Sequence, residues 1–140
     1  GGIISTLNIS RNSDFPWDKL RTPPQYLSEV MGKLIPLAEK NAAHRLVVCS
    51  AWGVGETLAD IPFWFKWLIQ SSNIGVAYKD HERQEKLISA SNLDWTLVRP
   101  VGLTYFAQHK AVKETFTQTP KPSLIISRAS VAQYMVDSLS

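Results

Sequence analysis

Cysteine is nearly absent: Cys49 is the only one in 140 residues, so no disulfide forms within the chain and a disulfide framework is excluded. A cytoplasmic, reducing compartment is the simplest expectation. Long apolar runs are missing as well. The longest stretch, residues 61–69, is interrupted by Pro62 and Lys66 and falls far short of the roughly 20 residues that cross a bilayer, so no membrane span is expected. The first residues carry neither a basic n-region nor the apolar core of a signal peptide and read instead as a strand, as if the chain began in the middle of a fold. Blocks of like charge are also lacking. With 15 Lys and Arg scattered against 12 Asp and Glu, the net charge of +3 offers no basic patch, and a nucleic-acid partner is set aside.

Several catalytic signatures are missing too. There is no Gly-x-x-x-x-Gly-Lys phosphate loop and no Gly-x-Ser-x-Gly nucleophile elbow. The three histidines, His44, His81 and His109, stand apart with no second histidine or cysteine at ligand spacing, so no metal site is expected. What is present is ordinary globular composition, 44% hydrophobic and 19% charged, in a chain long enough for one domain with a real core.

The apolar pattern switches repeatedly between strand-like and helix-like periods. Residues 3–7 and 45–50 read as buried strands, 95–99 as a third strand closed by Pro100, and 124–126 as a short fourth. Between them, residues 26–41 repeat apolar side chains at helical spacing, with Pro36 a possible kink point, and 62–70 offer about two turns of helix. Asp80 is the expected N-cap of the next helix, whose Gln84, Leu87, Ile88 and Ser91 share a face, and residues 131–139 form a terminal helix. Strands alternating with helices predict an α/β fold, a parallel sheet with helices on its faces. Ligands of such sheets sit beyond the carboxyl ends of the strands. The informative residues are therefore those following each strand.

Gly53-x-Gly55 follows the second strand but lacks the third glycine of a dinucleotide fingerprint, Leu58 standing in its place, and a plain loop is the better reading. Tyr78, His81 or Glu82, and Glu85 fall on one helical stripe. That stripe is either a phenol and an imidazole aimed at the ligand crevice or a solvated helix start with a charged face. A tyrosine there serves as an acid only if a nearby positive charge, from Lys79 or protonated His81, lowers its pKa. The segment Phe63-Trp64-Phe65-Trp67 puts four rings within five positions. Some fill the core, but two must point away from the other two, which predicts self-association or a protein partner.

Five blocks occur in sequence: Ile3-Ile4-Ser5-Thr6-Leu7; Arg45 to Gly55; Asp80-His81-Glu82-x-x-Glu85; Asn92-Leu93-Asp94-Trp95-Thr96-Leu97-Val98-Arg99-Pro100 with Leu103-Thr104; and Ile126-Ser127-Arg128-Ala129-Ser130-Val131-Ala132. Taken in this order they resemble the atypical short-chain dehydrogenase/reductases, and within them the NmrA-like group of NAD(P)H-binding proteins. The block from Leu93 to Pro100 is the most specific of these. The resemblance implies a Rossmann-like three-layer αβα fold with a parallel sheet, represented here by strands four to seven of the family order, as the C-terminal portion of an NAD(P)-binding domain over residues 1–140. The glycine-rich turn and first three strands of the family have no counterpart. It implies NADP or NAD as cofactor, with Thr6, Leu7 and Asn8 beside the adenine-side ribose, Ser50 facing the nicotinamide, and Pro100, Val101 and Leu103 in the loop that covers it. His81 takes the place of the family lysine that bonds the nicotinamide ribose. Tyr78 stands three residues before it, where the family spacing sets four. Ser130 replaces an aspartate before the last helix while keeping a capping hydroxyl. The expected catalytic groups are Ser50, polarising a carbonyl of a small-molecule substrate, and Tyr78 or a water as proton donor. The expected activity is NAD(P)H-dependent oxidoreduction; the alternatives are a dinucleotide sensor without turnover, and a fragment inactive alone.

Overall fold

The computed structural model describes residues 1–106, 111–116 and 119–140; His109 lies outside the described residues. Three parallel strands, β1 (Gly2–Ser5), β2 (Arg45–Cys49) and β3 (Asp94–Val98), form a sheet in the order β1-β2-β3. Ser5 lies opposite Val48, and Cys49 opposite Val98. Helix α1 (Tyr26–Lys40) connects β1 to β2. A 3-10 helix (Gly55–Ala59), α2 (Phe63–Ser71) and α3 (Ile74–Ser89) connect β2 to β3. Beyond β3, the short strand β4 (Gly102–Thr104) pairs in parallel with β5 (Ile125–Ser127) as a separate two-stranded sheet, and α4 (Arg128–Asp137) follows at once.

The central strand explains the layering. Alternate residues of β2 point to opposite faces. Leu46 and Val48 pack against Met31, Ile35 and Ala38 of α1 and Ile88 of α3, whereas Val47 packs against Val131 and Met135 of α4. All three β2 residues are buried, as a strand covered on both faces requires. The result is the expected helix–sheet–helix arrangement.

The sequence reading needs four corrections. The first strand ends at Ser5, leaving Thr6 and Leu7 in the loop, and Leu103 lies in β4 opposite Ile126 rather than in a covering loop. The last helix starts at Arg128, and its cap is Ser127, whose Oγ accepts from the Ser130 amide; the Ser130 hydroxyl bonds to Ser127 Oγ instead of capping. Most consequentially, Asp80 caps no helix of its own. α3 begins six residues earlier, at Ile74, because the break falls at Ser72 and Asn73. Gly75 permits this closeness: a Cβ there would sit 2.3 Å from the Ile69 carbonyl oxygen.

Asp80 is instead fully buried in the middle of α3 and caps α1 from across the interface. Its Oδ2 accepts from the Leu27 amide at 2.7 Å, its Oδ1 accepts from the Ser28 hydroxyl at 2.5 Å, and Arg83 stands 3.6 Å away. The first turn of α1 has no side-chain cap from Gln25, so this carboxylate takes over the unsatisfied amides and the positive helix end. Asp80→Ala should cost about 3 kcal/mol, because it strands buried donors. In urea denaturation the midpoint falls with the slope unchanged.

Candidate functional site

The residues following the three strands are drawn together at one end of the sheet. The Ser50 amide donates to the Val98 carbonyl at 2.7 Å, adding a further rung to the β2–β3 ladder, and the Trp52 amide donates to the Pro100 carbonyl at 3.0 Å. The loops after β2 and β3 are thereby joined. Next comes a tight turn built on glycine, with Gly53 at φ 101° and Gly55 at φ 58°, values that side chains other than glycine rarely adopt. Two of its amides are spent within the turn: Gly53 N–H donates to Thr57 Oγ1 and Val54 N–H to the Ala51 carbonyl. This is a plain loop closed on itself.

α3 lines the other side of this end. Its buried stripe carries Asp80, His81, Gln84 and Glu85 among Ala77 and Ile88. His81 Nε2 lies 3.2 Å from Oδ1 of Asn8, just after β1, and Gln84 Nε2 lies 3.4 Å from His81 Nδ1. Burial holds the imidazole below its ordinary pKa, against the pull of Glu85 and Asp80. Glu85 forms a two-pronged pair with Arg99 at the end of β3, at 3.0 and 2.6 Å, and Arg99 also grips Glu56 of the 3-10 helix at 2.6 Å. The Glu85 hydrogen bonds push the guanidinium pKa up, while the Arg99 hydrogen bond pulls Glu56 down. The arginine of the most specific sequence block thus clamps three elements together.

Tyr78 is placed differently from the expectation. Its hydroxyl donates to the Trp52 carbonyl at 3.2 Å and its ring meets Phe65 edge-on at 6.1 Å. Burial pushes the phenol up to about 12, the opposite of the lowered value an acid catalyst needs. Ser50 has the opposite character: it is 5% exposed, and its Oγ is buried without a hydrogen-bond partner. Ser5 Oγ, at the end of the adjacent strand, is in the same condition. A buried hydroxyl left unpaired costs about 1–3 kcal/mol.

The structure thus joins Asn8 to His81, and Ser50 to Pro100 and Tyr78 through Trp52. Thr6 and Leu7 are exposed between Ser5 and Asn8, whereas Leu103 is removed into β4. A groove of about 1650 Å³ opens beside this end, with Pro100, Val101, Arg99 and Glu56 in its wall; Asn8, Ser50 and His81 lie outside its lining. Sequence reasoning missed Gln84 and Ser5 as members of the site, and it singled out Glu85 and Arg99 without pairing them. The available signal was polar residues on the apolar stripe of α3, where burial obliges each to find a partner. On α2, Phe65 is half-buried while Phe63, Trp64 and Trp67 are exposed, and Trp67 meets Trp17 at 6.3 Å.

Comparison with known proteins places this geometry. The model of a family described as NAD(P)H-binding matches residues 2–140. Among solved structures, an anaerobilin reductase from Escherichia coli O157:H7 is 20% identical with a TM-score of 0.66, over 97% of this chain and 55% of its own. A short-chain dehydrogenase/reductase from Veillonella parvula, solved in complex with NADP, is 15% identical with a TM-score of 0.66, over 79% of this chain and 49% of its own. A putative NAD-dependent epimerase/dehydratase from Bacillus halodurans is 20% identical with a TM-score of 0.60, over 86% and 53% respectively. The fold is the Rossmann-like α/β arrangement of these structures, and the chain spans about half their length. No curated protein sequence matches it.

Because folded His81 has a lowered pKa, the unfolded chain takes up a proton near pH 6.5 that the folded chain refuses. Stability therefore falls as pH drops through and below 6.5. Urea midpoints at pH 7.5, 6.5 and 5.5 should decline in the wild type and lie closer together in His81→Gln.

Proposed function

Since the chain belongs to the NAD(P)H-binding family, we propose that it is the C-terminal portion of an NAD(P)H-dependent oxidoreductase of the atypical short-chain dehydrogenase/reductase type, acting on a small-molecule substrate. The observation that carries this reading is the unpartnered, buried Ser50 hydroxyl at the carboxyl end of the central strand. The residues fit a dinucleotide. Thr6, Leu7 and Asn8 offer an exposed loop after β1 for the ribose, and Ser50, Pro100 and Val101 form the nicotinamide side, while Leu103 is held apart in β4. His81 serves this site through Asn8. When bound, NAD(P)H supplies a hydride. The chain's own part is to hold and orient: Ser50 Oγ donates a hydrogen bond to a substrate carbonyl, and Tyr78, which keeps its proton, fixes the loop that carries Ser50 while water completes proton transfer.

A second reading is an NmrA-like dinucleotide sensor without turnover. It is favoured by Tyr78, whose hydroxyl is committed to a backbone carbonyl. No helix among the described residues is long and apolar enough to cross a membrane. The exposed rings of Phe63, Trp64 and Trp67, flanked by Phe15 and Trp17, are the surface for self-association.

Titration with NADPH and NADH, by fluorescence or calorimetry, is the direct test. Binding with turnover on a quinone, flavin or aldehyde supports the oxidoreductase, and binding without turnover supports the sensor. Binding that appears only when a glycine-rich N-terminal half is supplied marks this chain as half a site. Ser50→Ala should stabilise the free chain by about 1 kcal/mol, by removing an unpaired hydroxyl, while lowering turnover. For the aromatic surface, light scattering after gel filtration should give a mass above one chain, and Trp64→Glu with Trp67→Glu should restore the monomer.

A further inference from the structure

Building on the cofactor reading above, we propose that Gln84 and His81 are positioning residues that occupy the amide oxygen of Asn8 and leave its NH2 group for a ligand, making that side chain a donor-only contact for an oxygen of the nucleotide. The direction of the network is set by a group that has no choice. The Ile9 backbone amide donates to Asn8 Oδ1 at 2.8 Å, which identifies that atom as the carbonyl oxygen. His81 Nε2 lies 3.2 Å from the same oxygen, and two acceptors facing each other repel, so Nε2 carries the proton.

A neutral imidazole has one N–H, so Nδ1 holds a lone pair, and Gln84 Nε2 at 3.4 Å donates to it. Burial keeps the ring neutral; Asp80 and Glu85 are the charged groups that bear on it. Gln84 is 1% exposed and stands one turn along α3 from His81, so its amide is held where the ring needs a donor. Both lone pairs of Asn8 Oδ1 are then occupied. The side chain itself is exposed, and what remains for a ligand is its NH2 group. Such a group receives a ribose oxygen, a phosphate or a carbonyl and rejects a donor such as an ammonium.

The test separates the ring from the ligand. Long-range ¹H–¹⁵N correlation spectra of the wild-type chain at pH 7.5 should show His81 protonated at Nε2 and unprotonated at Nδ1. Gln84→Glu replaces the donor with an acceptor, so His81 should either gain a proton or move its proton to Nδ1, and NADPH affinity should fall at least tenfold. Asn8→Asp, at an exposed position, should lower NADPH affinity by a similar factor with the fold retained. Should Gln84→Glu fail to fold, Gln84→Met fills the same space without donating and should leave a mixture of the two ring forms. A wild-type ring protonated at Nδ1, or a ring unchanged by either Gln84 substitution, overturns the proposal. A changed ring with unchanged NADPH affinity overturns the positioning role. The expected ring form in a chain that binds no NADPH, either alone or with a glycine-rich N-terminal half supplied, refutes the cofactor reading and with it the nucleotide as the partner of Asn8, while the order Gln84–His81–Asn8 stands.

Discussion

The architecture depends on one carboxylate. Asp80 sits at full burial in α3, yet its acceptors are spent on the first turn of α1, the helix that brings the chain from β1 to β2. A buried charge is tolerated only where donors and opposite charge surround it. Here the helix end, the Ser28 hydroxyl and Arg83 provide both. Because α1 and α3 flank the same face of β2, fixing their relative position also fixes where α3 presents its next residues, His81, Gln84 and Glu85, over the strand ends.

Those residues extend the same logic along one helix face. His81 reaches the loop after β1, Tyr78 the loop after β2, and Glu85 the end of β3. Each strand end is therefore held from the same rod. In a low-dielectric interior such a network is stiff only if every member is satisfied. Against that background the unpartnered Ser50 and Ser5 hydroxyls stand out, since their neighbours are so thoroughly paired. The same contrast separates the two expected catalytic groups. Tyr78 is tied into the scaffold through the Trp52 carbonyl, while the Ser50 hydroxyl is left without a partner beside it.

Much of this was legible from residue order. The apolar run at residues 46–49 announced a doubly covered strand, and the positions after each strand did converge on one end of the sheet. The spacing of the aromatic segment predicts two rings on each side, whereas only Phe65 is turned inward and Phe63, Trp64 and Trp67 are exposed. What escaped were partnerships across long separations. Asp80 looks like a helix start because its type suits one, and nothing local reveals that its partner is Leu27. Gln84 and Glu85 look like a charged, solvated face until the burial of that face is known. The resemblance implies a covering loop at Leu103, whereas that residue pairs in β4 with Ile126 of β5, a partner more than twenty positions away that nothing local reveals.

The separation between Asp80 and Leu27 also bears on how the fold is reached. The two residues are 53 positions apart. At translation rates of about 5–20 residues per second, α1 emerges some seconds before its cap exists. During that interval its first amides have no protein acceptor from Gln25, and an isolated helix of its length is marginal in water. The first crossover therefore gains its full stability only when the second arrives, so the order of synthesis is not the order of consolidation. Closing this long loop ties the two crossovers into one cooperative event, and the strand ends they carry become aligned at the same moment as the core.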